Sequence, residues 1–457
     1  MVAAVTAGFL TMTGVVVDAP TVSATTDAVT NCHASGPGSL SAVVAAAASG
    51  DTVTFSVACP PGAPATAGAA IALARDVTIA GPGPKTWALS GGGKTGLFTV
   101  SAGVTATISG LLIEDGGGNY DGGAIENRGG LTVSDSTVTG NAAGVGAGVS
   151  NLGGTLDITD TTLSEDNATD VGGGVFNDSS STATIRDSTL IFNAATAGGA
   201  IDNEGAMAVD DSTISGDNAS NGDGGGILNY GTLAVTASTV ADSSAAEGGG
   251  LDNDGTAALA ATIVGPSYGG NDCAGTVVDS GYNLDDDGSC GFSTTTGSVS
   301  DVNPDLAPVQ NNGGPTLTQA PMAGSPALDR IPPGTNGNGT VLCPGTDQRG
   351  VARPQGSACD IGAVELVPGA PAITSPAAVT ATVGSPLSFT VTTSGIPVPS
   401  LAEKGRLPPH IGFTDNGDGT ATVSGIPRRR GVRHVTVTAT FGTVIVTQSV
   451  TVTVVKA

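Results

Sequence analysis

The chain has 457 residues and sets 40 Asp and Glu against 15 Lys and Arg, for a formal net charge of −25. Such a surface repels phosphate backbones and anionic headgroups, which sets nucleic acid and lipid bilayers aside as partners. Aromatics are only 3%, and Gly (72) with Pro (26) falls short of a low-complexity composition, so the regularly spaced Val, Ile, Leu and Ala predict a thin aliphatic core in an elongated domain, with room for one or two more.

Residues 1–24 read MVAAVTAGFLTMTGVVVDAPTVSA. The run is too interrupted by Thr, Gly and Asp18 for a membrane span, and Val22-Ser23-Ala24 suits a small-residue cleavage site, so a secretory signal is expected. It lacks a basic leading region, since no Lys or Arg precedes Arg75; an ordinary apolar tail is the other reading. Residues 25–69 predict an N-terminal cap: Ser39 as helix N-cap, an alanine-rich helix to about Ala48, Gly50 as its stop and a strand from Thr52 to Val57. A short amphipathic helix covers the open edge of a solenoid's first coil.

From residue 70 to 270 the strand-and-turn rhythm becomes a repeat. The strings GGAIEN, GAGVSN, GGGVFN, GGAIDN, GGGILN and GGGLDN place Asn127, Asn151, Asn177, Asn203, Asn229 and Asn253 at intervals of 24, 26, 26, 26 and 24 residues. A second motif lies in each period, as LTVSDSTV, LDITDTTL, ATIRDSTL, MAVDDSTI and LAVTASTV. Short strands at this period, without helical patterning or a leucine-rich signature, predict an all-β right-handed parallel β-helix. Alternation turns Ile125, Val149, Val175, Ile201, Ile227 and Leu251 inward with the asparagines, which are expected to form a buried ladder of amides. Phe176 and Leu228 fall at the outward position and are expected to be exposed.

The pairing of GG-x-[IVL] with a later aliphatic-x-x-Asn, as in VTGN (Val138 to Asn141) and LIFN (Leu190 to Asn193), resembles the polymorphic outer-membrane-protein type of β-helix repeat. This second Asn reads as displaced in two coils, to Asn167 and Asn218. Residues 271–365 carry GYNLDDDGSC, NPDL, NNGGPT, GSPALD, TDQRGVARP and CDIGAVE. In this order the strings resemble the choice-of-anchor Q domain, a C-terminal region of secreted and surface β-helix proteins of bacteria, and the region is read as last coils and a C-terminal cap. A linker at 366–372 leads to residues 373–457, whose apolar/Thr alternation predicts an Ig-like β-sandwich. There LPPHI (Leu407 to Ile411) and SGIP (Ser424 to Pro427) resemble the LPPGL and SGTP strings of a bacterial Ig-domain family, whose members serve as spacers or adhesive modules.

The six cysteines fall into neighbouring couples, Cys32 with Cys59, Cys273 with Cys290 and Cys343 with Cys359. With no CxxC and only three scattered histidines, disulfides in an oxidising compartment are expected rather than a zinc cluster. No residue is assigned to catalysis, to a cofactor or to a metal. Asp202 with Glu204, and Asp210 with Asp211, are the carboxylate pairs a glycosidase would need, yet aspartate at such turns bonds its own backbone. Calcium at Asp285 to Asp287 is a minor alternative, and Asp415 to Thr420 reads as a hairpin turn. Trp87 stands alone and the tyrosines are dispersed, which argues against a strong sugar-stacking cleft. The run Arg428-Arg429-Arg430 with Arg433 and His434 is read as a solvated loop, with contact to an anionic cell-wall polymer as the second reading. The sequence thus predicts a bacterial-type, secreted or cell-surface, adhesin-like monomer presenting loops on a rigid stalk. Its partners would be extracellular polysaccharide or protein. The alternative is a carbohydrate-active enzyme, a polysaccharide lyase or glycoside hydrolase.

Overall fold

The computed structural model describes residues 25–456 apart from 119, 323, 338, 368, 397, 398, 442 and 443, so the expected signal at 1–24 lies outside the described residues. Among the described residues no helix is long and apolar enough to cross a membrane. The chain is nearly all β: a parallel β-solenoid is followed by two four-stranded sheets. One coil runs Val149–Asn151, Thr155–Thr159, Thr162–Ser164, Asn167–Val171, and each strand pairs in parallel with its equivalent a coil later. The first two strands of successive coils build an 18-stranded sheet, the third a ten-stranded sheet and the fourth a four-stranded one.

Register explains the core. Ile125 pairs with Val149, Val149 with Val175 and Val175 with Ile201, so one aliphatic side chain per coil stacks on the next. Ile125, Val149, Val175, Ile201 and Ile227 are fully buried, which at roughly 2 kcal/mol per side chain makes the column a principal source of cohesion. At the N-terminal end the helix Leu40–Ala46 lays Leu40 and Val44 into the same core, with Ser39 Oγ accepting from Ala42 N. The helix is shorter than the sequence predicts because the Asp51 carboxylate takes the Ala48 N–H at 2.7 Å and turns the chain out. Parallel stacking also begins earlier than residue 70: Thr26–Val29 already pairs with Asp51–Phe55, and that strand with Val77–Ala80. Those first coils lack the GG string, which hides their period.

The outward position of the GG-x-[IVL]-x-Asn strand is not exposed. Phe176 is 9% and Leu228 2% accessible, and Ser150, Asp202 and Asp252 in the same column are also buried. The reason lies in the preceding glycine. Gly146, Gly172, Gly198, Gly224 and Gly248 all have positive φ and fold the backbone back over the residue four positions on. A Cβ at Gly224 would stand 2.7 Å from Leu228 Cα, and one at Gly172 3.1 Å from Phe176 Cα.

The solenoid ends with Cys273–Asp279 and Leu284–Asp285, and the chain then turns back along its flank. Between Asn312 and Glu365 it lies as a strap on the ten-stranded sheet. Gln348 donates to Ser188 O at 3.0 Å and accepts from Thr213 Oγ1 at 2.6 Å, Gln319 accepts from Ser215 Oγ at 3.0 Å, and Ala363 N donates to Thr239 Oγ1 at 3.1 Å. Disulfides join Cys32 to Cys59, Cys273 to Cys290 and Cys343 to Cys359.

In the C-terminal sandwich one sheet orders Gly369–Ile373, Leu387–Ile396, Thr420–Gly425 and Ile411–Asp415; the other orders Ala378–Thr382, Val444–Val455, Gly431–Phe441 and Ser400–Gly405. All pairings are antiparallel except that of Ala378–Thr382 with Val444–Val455. Val391, Val423, Val437 and Val452 fill the interior, as alternation requires.

Candidate functional site

The corner between the second and third strands of each coil is built by two adjacent residues. The first takes a left-handed conformation and is aspartate in four successive coils: Asp135, Asp160 and Asp187 (φ 49°) and Asp211 (φ 43°). Aspartate tolerates this region better than most residues, and the cost of the turn explains the recurrence. The second is a buried hydroxyl, Ser136, Thr161, Ser188, Ser212, Ser238 or Thr262. Each hydroxyl oxygen accepts a backbone N–H from the coil before, as in Thr161 N to Ser188 Oγ at 3.2 Å and Ser212 N to Ser238 Oγ at 3.1 Å. The hydroxyls in turn donate to a carbonyl two residues back, Ser136 Oγ to Ser134 O at 2.7 Å. Both bonding capacities are thus used internally, and only the aspartates face outward.

Two of them meet a cleft. Where the strap's Pro315 edge stops, Asp135, Ser136, Thr137, Asp160 and Thr162 line a 440 Å³ recess against the turns at Gly81, Pro84 and Gly110. In-register coils repeat at about 4.8 Å, so the backbones that carry Asp135 and Asp160 are stacked one coil apart. The proton affinity of the corner carboxylates climbs toward the covered flank. Burial, with the charge of Asp135, raises the pKa of Asp160. Burial and the neighbouring Asp160 charge lift Asp187 to about 6 against the pull of Arg186. Asp211 is lifted to about 7 by burial although Arg353 stands 3.4 Å away.

Beyond this corner the strap carries a buried ionic cluster. Arg349 binds Asp347 at 2.6 Å, Arg353 reaches Glu365 at 3.5 Å, and Asp360 and Glu365 accept from the backbone of Leu366 and Gln355. The strings TDQRGVARP and CDIGAVE supply these groups, so their polar residues close the strap on the solenoid. Sequence reasoning missed this role because no period marks it. It also missed the hydroxyl column, whose signal was the Ser or Thr after each turn aspartate in SDSTV, TDTTL and RDSTL.

The asparagines stand in one line. Asn127 donates to Asn151 at 2.7 Å, Asn151 to Asn177 at 2.8 Å, Asn177 to Asn203 at 2.8 Å, Asn203 to Asn229 at 2.7 Å and Asn229 to Asn253 at 2.6 Å. Asn167 and Asn218 are not displaced members of the second Asn column. Its places are held by Asn141, Asp166, Asn193, Asp217 and Ser243, each accepting a backbone N–H of the coil before, and both aspartates are buried beneath the chain. Asp202 lies buried between Phe176 and Leu228 with its pKa lifted to about 7 by burial, while Glu204 is exposed, so these two do not face a common cleft. Asp210 turns to Arg186 at 3.7 Å and Asp211 to Arg353, which separates that pair as well. In the Asp285 to Asp287 loop two of the three carboxylates bond backbone: Asp285 accepts from Cys290 N through one oxygen and Asp287 from Ser289 N and Asp272 N. Among the described residues no group of three or more His, Cys, Asp or Glu is placed to hold a metal ion.

No family model and no curated protein matches the chain. Among solved structures, a candidate α-galactosidase from Bacteroides fragilis NCTC 9343 is similar at 22% identity over 20% of this chain and 19% of that chain, with a TM-score of 0.18. A second candidate α-galactosidase/melibiase from the same organism gives 23% identity over 19% and 18%, with a TM-score of 0.18. The titin M3 domain is similar at 21% identity over 18% of this chain and 95% of that one, with a TM-score of 0.17. The chain thus spans about a fifth of the galactosidase chains it matches, and likeness at this level assigns no activity.

Proposed function

We propose that the protein is a secreted or cell-surface rod of the choice-of-anchor Q type, a structural and adhesive scaffold whose solenoid presents turns and whose sandwich acts as a terminal module. One observation carries this reading: the flank on which a solenoid would open a long groove is sealed, because Gln348 is bonded to Ser188, Thr189, Thr213 and Thr316. Polar groups engaged in this way hold the scaffold together and are unavailable to a substrate. The three disulfides suit an oxidising, extracellular setting. The cleft beside the strap favours a second reading, hydrolysis of a glycan between Asp135 and Asp160. Purified protein applied to a panel of acidic and neutral polysaccharides separates the two. The scaffold predicts retention without new reducing ends. New reducing ends that vanish in Asp160→Asn would replace it with the hydrolase.

A further inference from the structure

Charge is distributed unevenly along this chain. Residues 373–457 hold seven of the 15 Lys and Arg but three of the 40 Asp and Glu, a net +4 against −29 for everything before them. Strand register then sorts these charges within the sandwich. Gly405 pairs with Val435, Gly425 with both Leu387 and Ile411, Gly431 with Val454, and Thr382 with Val455. All these strand ends share one pole. Arg406 follows Gly405, Arg428 to Arg430 bridge Gly425 to Gly431, and Lys456 follows Val455, so the loops and strand ends collect the cations there. Arg433 stands just inside the same pole, opposite Val452, whereas Lys404 lies at mid-strand opposite Thr436, beside Glu403.

The other pole is different. It carries the hairpin from Asp415 to Thr420, where Asp415 accepts from Leu401 N and Asp418 from Thr420 N. The chain also enters the sandwich there, since Gly369 pairs with Ile396. The 11 residues of Gly431–Phe441 put about 34 Å between the poles, several Debye lengths at physiological salt. The entry pole therefore does not neutralise the basic one.

Every cation named is exposed, and among the described residues none of them has an acidic partner within ion-pair distance. Ile426 (47%), Val432 (49%) and Val455 (41%) lie exposed among them with the imidazoles of His410 and His434, and no Trp, Tyr or Phe does. A solvated face would be expected to mix signs. This one presents six positive charges, five of them guanidinium forks suited to paired oxygens of a carboxylate.

We propose that this pole is a docking surface for an acidic, carboxylate-bearing polysaccharide. Without Trp or Tyr the pole lacks the interfacial anchors of a bilayer contact and the platforms that stack bases. The acidic remainder of the molecule is repelled by the same polymer, so contact through the pole orients the chain with its solenoid held away. The proposal goes beyond the scaffold reading and fails separately from it, because a rod held through another surface survives the loss of this one.

The full-length protein is passed over immobilised alginate, neutral dextran, vesicles containing phosphatidylglycerol, and duplex DNA, at low and high salt. Expected is salt-sensitive retention on alginate, weakened roughly 100-fold when Arg428, Arg429, Arg430 and Arg433 are all changed to Gln, and unchanged by Arg128→Gln in the solenoid. Arg406→Gln with Lys456→Gln provides a second, independent loss from the same pole should the fourfold variant fold poorly. Absence of retention at low salt, equal retention of both pole variants, or equal or tighter binding to vesicles or DNA overturns the proposal.

Discussion

Two buried polar columns run along the solenoid at different corners of the coil, and they solve one problem differently. In the first every rung is asparagine, and each amide donates to the carbonyl oxygen of the next, with Asn253 closing the line on Thr276 O at 2.7 Å. In the second, asparagine alternates with aspartate. Asn141 donates to Asp166 at 2.7 Å and Asn193 to Asp217 at 2.9 Å, but neither carboxylate passes a bond onward through its second oxygen. An amide carries donor and acceptor, whereas an ionised carboxylate only accepts. The homogeneous column is self-sufficient at any pH; the mixed one needs a proton on each aspartate to complete its pattern.

The largest effect is expected from making the first column resemble the second. Asn177 is fully buried, accepts from Asn151 and donates to Asn203. Asn177→Asp places an ionised group against Asn203 Oδ1 and should cost about 3 kcal/mol at pH 8, most of it recovered at pH 4, where the acid form donates again. Chemical denaturation at the two pH values measures this. A loss independent of pH would mean that the column is held by shape and not by donor order.

The converse change is expected to give a gain. Burial lifts Asp166 and Asp217 to a pKa of about 8. The folded chain therefore keeps protons that the unfolded chain releases near pH 4. The stability these groups contribute is full below about pH 4, falls as pH rises to about 8, and is level beyond. Asp166→Asn with Asp217→Asn should accordingly raise stability at pH 8 and leave it nearly unchanged at pH 4. Thermal melting across that range tests it; a gain that persists at pH 4 would locate the benefit elsewhere than in the proton.

What was legible in the sequence follows the same contrast. A period of 24 to 26 residues with a single recurring asparagine and alternating aliphatics specifies parallel coils, because one residue type meets its own copy in the next coil. The second column was misread because Asn, Asp and Ser all offer the oxygen that a neighbouring backbone N–H needs, so no single letter repeats. Phe176 and Leu228 were misplaced because alternation describes an isolated strand, while the glycine that covers each belongs to the preceding turn. The strap was illegible for another reason. Gln348 meets Ser188 across 160 residues of sequence, and Thr316 meets Asp187 across 129, distances that no local pattern encodes. The cleft beside Asp135 and Asp160 depends on that strap, through Pro315, and so it was hidden too.

The smallest effect separates position from residue type. Asn167 and Asn218 match the asparagine letter of the second column but stand one residue beyond it and are exposed. The Asn167 backbone N–H bonds Asn141 O at 2.8 Å, which any residue other than proline supplies, and the Asn218 side chain accepts only from half-buried Ser244 at 2.8 Å. Asn167→Ala and Asn218→Ala should therefore each change stability by no more than about 0.5 kcal/mol at any pH. Asn193→Ala, by contrast, removes an amide bonded to both Asp217 Oδ1 and Leu163 O inside the core. If the exposed pair proved as costly as Asn193, the rung would be set by the letter; equality with ordinary surface changes shows that it is set by register.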